Sequence, residues 1–548
     1  MNKIQNIFFL SLILCFCPSL SVHGQSAINF EDYAGLWKGS TSDDNPFQIT
    51  VTIKDLDQHR ASILLSNHQE ILRTAFAPKD TLYVPLEEKM LFEGIVNKEG
   101  TQIQGFIKLD MNFYPLLLEK KGQVFKGTFK LSAIHYLQAD SYYLEIRKVY
   151  NSVEGYGAYP LLGTYWVNDL EIISNNINFE DYKTGLVFEG KLLDSQIILD
   201  VRLASKVLCT LSYKRVDRKE KVKSIETEGD WPYADQALSL SNLERDIAQN
   251  KLKGIESVLL AHEGKIRYEK YFNATNSETT NDLRSAGKSI GSAIIGCAID
   301  DGIISNTQEK VFDHIPSNYQ YTNDKEKAEM TIKHLLTMRS GIGVYENDYQ
   351  ETDDWLKSVL EPKLKYKAGS RTNYMSADPF LLSVNLNERL PYPLEFYMQQ
   401  KLFAPLGIEN YIMNTDMRGI PYFAGGIYMR PSDMLKFGQL YLDKGMWKGK
   451  RILSEKWINT SFEKHTQLEN TAKKNAYGYL WWHESYDVNG TSISCIEARG
   501  NGGQYISIIP ELDAVIVVTT ENYNKRGAAE QTERIIAEYI LASLLSQE

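Results

Sequence analysis

A serine followed three residues later by a lysine is a compact arrangement in which a chain can supply both a nucleophile and its base. Ser285-Ala286-Gly287-Lys288 opens a run whose apolar positions Ala286, Ile290, Ala293, Ile294 and Cys297 fall at helical spacing, with Gly302 as a stop. Residues three apart on a helix are neighbours on one face, so the Lys288 amine reaches the Ser285 hydroxyl and accepts its proton if burial lowers the lysine pKa. A serine activated in this way attacks ester and amide carbonyls. Patterns this short recur by chance, and Ser461 to Lys464 is a second instance. No acid–base constellation can be assembled around Ser461, whereas Ser285 has further matches downstream.

Arg284-Ser285-Ala286-Gly287-Lys288-Ser289, followed by Gly296-Cys297-Ala298-Ile299-Asp300-Asp301-Gly302, resembles the nucleophile helix of the β-lactamase-related serine hydrolases. Thr331-Ile332-Lys333-His334-Leu335-Leu336-Thr337-Met338-Arg339-Ser340-Gly341 is similar to that family's helix-to-loop segment. Gly425-Gly426-Ile427-Tyr428-Met429-Arg430-Pro431-Ser432-Asp433-Met434 is similar to a later signature. The likeness covers the C-terminal part of the chain, from near residue 230 to 548. In the class C branch and related esterases a tyrosine shares the proton work with the lysine, and Tyr374-Met375-Ser376 stands in its place. The resemblance therefore implies Ser285 as nucleophile, Lys288 and Tyr374 as its base pair, and Ser376 as a substrate-binding position where the family usually carries asparagine.

The family's third motif is a lysine or histidine, a variable residue and a glycine. Here the run is Ala498-Arg499-Gly500-Asn501-Gly502-Gly503-Gln504, ahead of a strand from Tyr505 to Ile509. Alanine replaces the cation that meets a β-lactam or peptide carboxylate, and Arg499 restores a charge only if the register differs. The glycine-rich run ending in Gly-Gln is similar to the branch containing 6-aminohexanoate-dimer hydrolase. That likeness implies an oxyanion hole from the backbone N–H groups of Ser285 and Asn501, with Arg499, Gly500 and Gln504 joining Ser376 in substrate binding. The same glycines also suit a tight turn between strands.

These residues need a scaffold, and the pattern changes along the 548-residue chain. Residues 1–24 carry Lys3, an apolar run from Ile7 to Cys17, Pro18 and the small-residue exit Val22-His23-Gly24, which reads as a signal peptide and implies a periplasmic or secreted protein. Residues 25–150 alternate in short runs such as Phe47-Gln48-Ile49-Thr50-Val51-Thr52-Ile53, the signature of a β-rich, barrel-like unit. Residues 151–222 read as a second β unit. Leu162-Gly163-Thr164-Tyr165-Trp166 echoes Gly35-Leu36-Trp37-Lys38-Gly39, and Val187-Phe188-Glu189-Gly190 echoes Leu91-Phe92-Glu93-Gly94. The charge-dense stretch Lys214 to Glu228 reads as a linker. Residues 223–548 then mix helices with strands. The expected fold is multidomain: all-β units followed by an α/β (α+β) domain, which the resemblance makes β-lactamase/transpeptidase-like, with an antiparallel sheet and a helical subdomain.

The remaining features narrow the function. A formal charge of -10 argues against a nucleic-acid partner. No run after the leader approaches the roughly 20 apolar residues of a transmembrane helix. Cys209, Cys297 and Cys495 are too few and too far apart for a disulfide framework. No histidine–carboxylate spacing suggests a metal, and no cofactor is expected. His262 and His334 read as packed or solvent-facing residues, and Trp481-Trp482 as core beside His483. The expected partner is a small-molecule or oligomeric ester or amide substrate, with homo-oligomerisation left open. The alternatives are a D-amino-acid peptidase or penicillin-binding protein, and, from another class, a non-catalytic binding or sensor ectodomain.

Overall fold

The computed structural model describes residues 32–546, apart from 42–48, 55–59, 66–68, 75–80, 88–89, 130–141, 150–151, 160–161, 182–185, 194, 204–205, 221–230, 320–324 and 472. The expected leader, 1–24, lies outside them, as does most of the expected linker.

The alternating runs between 142 and 216 pair each with the next as an antiparallel meander, and Gly35–Ser40 closes it into an eight-stranded barrel. Leu36 stands opposite Glu145 on one side and Val216 on the other. Eight strands enclose a space that side chains can fill. Trp37, Leu144, Ile146, Tyr165, Phe179, Phe188 and Leu211 are among the buried residues that form its core.

The residues between the first and second barrel strands build a separate sheet. Eight strands between Ile49 and Phe129 belong to it, and it does not end within the N-terminal region. Asn112–Lys121 pairs with Tyr411–Asn414, setting Phe113 opposite Met413 and Asn112 opposite Asn414. Tyr411–Asn414 pairs with Ile427–Met429, and that strand with Asn281–Asp282. A continuous eleven-stranded sheet thus runs from the N-terminal region to the residues just before Ser285.

The N-terminal region is all-β, as expected, but its units are not consecutive. The expected division between 150 and 151 falls in the hairpin joining Tyr142–Val149 to Ser152–Tyr159. Gly35–Ser40 belongs with the later unit, so the echo between Gly35-Leu36-Trp37 and Leu162-Gly163-Thr164 marks two strands of one barrel. The boundary was misplaced because the first barrel strand finds its partners more than a hundred residues away, which local alternation does not reveal.

From Trp231 onward an eight-stranded antiparallel sheet forms the frame, its central strands being Ile255–His262, Ala514–Thr520, Gln504–Ile509 and Thr491–Gly500. Pro431–Leu442 covers one face, where a Cβ on Gly438 would fall 2.5 Å from Val515. The C-terminal helical run packs Ile535, Ile536, Ile540 and Leu541 with Val258, Leu260, Ile516 and Val518 in a separate cluster. Gly287–Asp300 is buried along nearly its whole length, in the core it shares with Ala377–Arg389. Cys209, Cys297 and Cys495 are buried free thiols. Among the described residues no helix is long and apolar enough to cross a membrane.

Candidate active site

The strand Asn281–Asp282 ends in a sharp turn. Leu283 N–H donates to the Ile427 carbonyl at 2.9 Å, and Arg284 then adopts φ +49°, a left-handed conformation rare outside glycine. The strained residue is held by its own side chain: its Nε lies 3.0 Å from Asp282, and its backbone N–H donates to the same carboxylate at 3.0 Å. Its guanidinium also stacks over Tyr523, 4.8 Å from the ring centroid. The turn delivers Ser285 to the start of the helix Gly287–Asp300.

Lys288 follows one turn on and is 1% exposed. Its Nζ donates to Ser285 Oγ at 2.7 Å, to Ser376 Oγ at 3.3 Å and to the Ala424 carbonyl. Three acceptors match the three protons of an ammonium. Burial pulls its pKa from 10.5 down to about 8, and the Glu346 carboxylate restrains the fall. The neutral form, which a general base requires, is therefore a minor but accessible fraction near neutral pH.

Tyr374 stands beside this pair. Its ring centroid is 5.3 Å from Lys288 Nζ and packs against Trp482 at 5.2 Å and Tyr477 at 6.1 Å. Its backbone N–H donates to Asn470 Oδ1 at 3.0 Å. Burial raises the phenol above its ordinary value, opposed by a hydrogen bond with Ser285, so the phenol is protonated at neutral pH and placed to pass a proton. Ser376, expected to touch substrate, instead links Lys288 to an acid: its hydroxyl donates to Glu346 Oε2 at 3.1 Å. Tyr422 OH donates to Glu346 Oε1 at 2.6 Å, and Tyr349 hydrogen-bonds Tyr422 behind it. No spacing in the sequence singled out Glu346, which precedes no motif and arrives through the short helix Glu346–Gln350.

Gly500 ends the strand Thr491–Gly500 against the nucleophile turn. A Cβ there would lie 2.1 Å from the Leu283 carbonyl oxygen, so only glycine fits. Asn501 follows, its Oδ1 accepting from Asn524 N–H at 2.7 Å. Ser285 and Asn501 line one cavity of about 390 Å³. Residues 241–539, more than half of the chain, match the family described as Beta-lactamase. The chain belongs to the Beta-lactamase family.

Solved structures similar to this chain include one assigned as a 6-aminohexanoate-dimer hydrolase from Bacillus anthracis, 18% identical with a TM-score of 0.47, covering 60% of this chain and 90% of that one. Another, assigned as a beta-lactamase from Bacteroides dorei, is 18% identical with a TM-score of 0.48, covering 56% of this chain and all of that one. A penicillin-binding protein from Bacillus halodurans is 18% identical with a TM-score of 0.43, covering 55% of this chain and 99% of that one. As a member of the Beta-lactamase family the chain is a serine hydrolase, and the N-terminal β region lies outside the matched residues.

Two expected substrate contacts are corrected. Successive residues of a strand face opposite sides. Ala498 is fully buried in the core that holds the nucleophile helix, which turns Arg499 the other way. The Arg499 guanidinium sits 2.6 Å from Glu497, 2.8 Å from Glu484 and 3.5 Å from Glu533, with the rings of Trp482 and Tyr505 at 5.4 and 5.2 Å. Burial would raise Glu484, but Arg499 and Lys473 bring it down to about 2. Gln504 is fully buried: its Nε2 donates to the Thr520 carbonyl at 2.7 Å and its Oε1 accepts from Thr520 N–H at 3.2 Å, tying adjacent strands.

The lesser candidates fall where packing places them. Ser461 is buried at the end of Glu455–Ser461, and its hydroxyl has no hydrogen-bond partner among the described residues. His334 Nδ1 accepts from Thr331 N–H at 3.2 Å in a helix cap. Trp481 is core, stacked on Phe437, whereas Trp482 packs on Tyr374 and so supports the site.

Proposed function

We propose that this chain is an exported serine hydrolase that cleaves an ester or amide bond through an acyl-enzyme on Ser285. The observation that carries the reading is the 2.7 Å hydrogen bond between Ser285 and a lysine whose burial favours its neutral form. Neutral Lys288, acting with the Tyr374 phenol, takes the Ser285 proton as Oγ attacks the carbonyl carbon. The backbone N–H groups of Ser285 and Asn501 receive the charge that develops on the carbonyl oxygen, where loss of one such donor costs about 10²- to 10³-fold in rate. The tyrosine side protonates the leaving group, and water activated by the same pair releases the acid. Ser376 and Glu346 orient Lys288 from behind.

Export is supported by the basic, apolar and small-residue order of residues 1–24, which directs the protein to a periplasmic or secreted location. Ala498, buried in the core, and Arg499, held on the opposite face by three glutamates, weigh against the carboxylate recognition that a D-amino-acid peptidase or penicillin-binding protein needs. The test is labelling by an active-site phosphonate alongside a fluorescent penicillin. Modification of Ser285 by the phosphonate, abolished in Ser285→Ala, is the expected result. Absence of labelling on folded protein returns the chain to the non-catalytic class.

A further inference from the structure

The two oxyanion donors, the backbone N–H groups of Ser285 and Asn501, sit on separate elements: the turn after Asn281–Asp282 and the end of Thr491–Gly500. One loop braces both. Residues 521–524 follow the strand Ala514–Thr520. Tyr523 is fully buried, its hydroxyl donating to the Asp282 carbonyl at 3.1 Å and its ring meeting the Arg284 guanidinium at 4.8 Å, so it supports the backbone that leads into Ser285. Asn524 N–H donates to Asn501 Oδ1 at 2.7 Å. A Cβ on Gly502 would lie 2.9 Å from the Tyr523 nitrogen, so the two backbones meet directly after Asn501.

The barrel holds this loop in turn. Arg147, on the strand Tyr142–Val149, donates from Nη2 to the Tyr523 carbonyl at 2.6 Å. Its guanidinium is fixed by the Tyr156 ring, 3.7 Å from the centroid, and by Glu145 at 3.3 Å. Asn524 Nδ2 donates to Glu154 at 3.3 Å and to Tyr156 OH at 3.2 Å, and Lys219 pairs with Glu521 at 2.7 Å. A guanidinium donating to a backbone carbonyl is a charge-assisted bond of the stronger kind.

We propose that Arg147, seconded by Glu154 and Tyr156, is a positioning residue for the reaction: it clamps residues 521–524 and thereby sets the spacing of the two oxyanion donors. This rests on the serine-hydrolase reading and its oxyanion assignment. The barrel lies outside residues 241–539, so the clamp is contributed by the part of the chain beyond the family match. Charge develops on the carbonyl oxygen only on the way to the tetrahedral intermediate, so donors out of place lower kcat and leave ground-state binding of the ester nearly as it was. A displacement of about 1 Å costs on the order of 100-fold.

The test uses the full chain with p-nitrophenyl butyrate as the probe ester, well below the unfolding midpoint of each variant and with the fold checked by circular dichroism. Arg147→Met is expected to lower kcat about 10- to 100-fold with KM within about twofold. Arg147→Lys, which keeps a charged donor, is expected to recover most of that loss. The inhibition constant of butylboronic acid, whose tetrahedral adduct on Ser285 places an oxygen in the same hole, is expected to rise by the factor that kcat/KM falls. An Arg147→Met kcat within about twofold of wild type, a loss confined to KM, or an Arg147→Lys variant no better than Arg147→Met overturns the proposal. Should Arg147→Met not fold, Asn524→Gly tests the clamp from the other side. Glycine suits the φ of +58° there and keeps the N–H to Asn501, but drops the bonds to Glu154 and Tyr156. It too is expected to lower kcat with KM held, and an unchanged kcat overturns the proposal. Ser285→Ala separates the two readings. If it abolishes hydrolysis while Arg147→Met and Asn524→Gly keep wild-type kcat, the clamp falls and the hydrolase stands; if Ser285→Ala still hydrolyses the ester, the hydrolase reading falls first.

Discussion

Under the proposed mechanism Lys288 sets the pH dependence of the site. Its pKa near 8 means that the base is protonated, and inactive, at low pH, so kcat/KM rises with pH and levels off above about 8. The Glu346 carboxylate favours the charged lysine, so Glu346→Gln lowers the lysine pKa further and moves this acid limb to lower pH. The plateau also falls, because one amide oxygen replaces the two carboxylate oxygens that accept from Ser376 and Tyr422, and the pair that orients Lys288 is no longer fully held. A limb that stays in place or moves upward would sink the coupling of Glu346 to Lys288, and an unchanged plateau the Ser376–Glu346 link. Ser285→Ala is expected to remove nearly all turnover, on the order of 10⁶-fold, and retention of more than a few per cent contradicts its assignment. The pair Ser285–Lys288 was legible because three-residue helical spacing is local; Glu346 was not, because its relation to Lys288 exists only once a separate helix folds beside Ser376.

The strand Thr491–Gly500 shows how one element serves two faces. Its inner face brings Gly500 against the nucleophile turn, so Gly500→Ala must push the strand end off Leu283. Overpacking of this kind costs roughly 1–3 kcal/mol, and here it also displaces Asn501 from the cavity. Loss of activity on a chain that still folds, with a lowered unfolding midpoint, is the expected result. The outer face carries Arg499 among three glutamates, of which Glu497 is fully buried. Breaking a buried charge cluster from one side costs about 3–5 kcal/mol, so Arg499→Gln lowers the denaturation midpoint while KM stays near wild type. A large rise in KM with unchanged stability would restore Arg499 to the substrate. The sequence located the motif from Ala498 to Gln504 and the strand that follows it, but left the facing of Thr491–Gly500 open, since residues 498 and 499 exchange roles with a one-residue slip in register.

At the scale of the molecule, the N-terminal region and the catalytic domain share cores. Phe106 and Phe113 belong to the cluster that holds the nucleophile helix, while Ile412 and Tyr428 belong to the cluster of the barrel and its inserted sheet. The barrel adds Gly163 N–H to the Thr280 carbonyl at 2.9 Å and Thr164 N–H to Glu256 at 3.0 Å, and Lys219, just after its last strand, pairs with Glu521 at 2.7 Å. Residues 231–548 expressed alone are therefore expected to be insoluble or inactive, and the full chain to lose barrel and catalytic signals in one transition. A soluble, active fragment would show that the two parts are separable. The all-β character of the N-terminal region and the mixed character of the rest were legible from alternation. Their interleaving was not, because strand pairing across several hundred residues leaves no local trace.

That interleaving also sets a timetable. Gly35–Ser40 is made before both of its neighbours, Tyr142–Val149 and Lys206–Val216, so it waits unpaired while the inserted strands form hairpins among themselves. The inserted sheet in turn leaves Asn112 and Phe113 unpaired on one side until Tyr411–Asn414 is made. Contacts of such long separation form slowly, and an uncovered edge is a template for pairing with the wrong chain. Refolding yield is accordingly expected to fall as protein concentration rises, and a chaperone that shields strand edges to restore it.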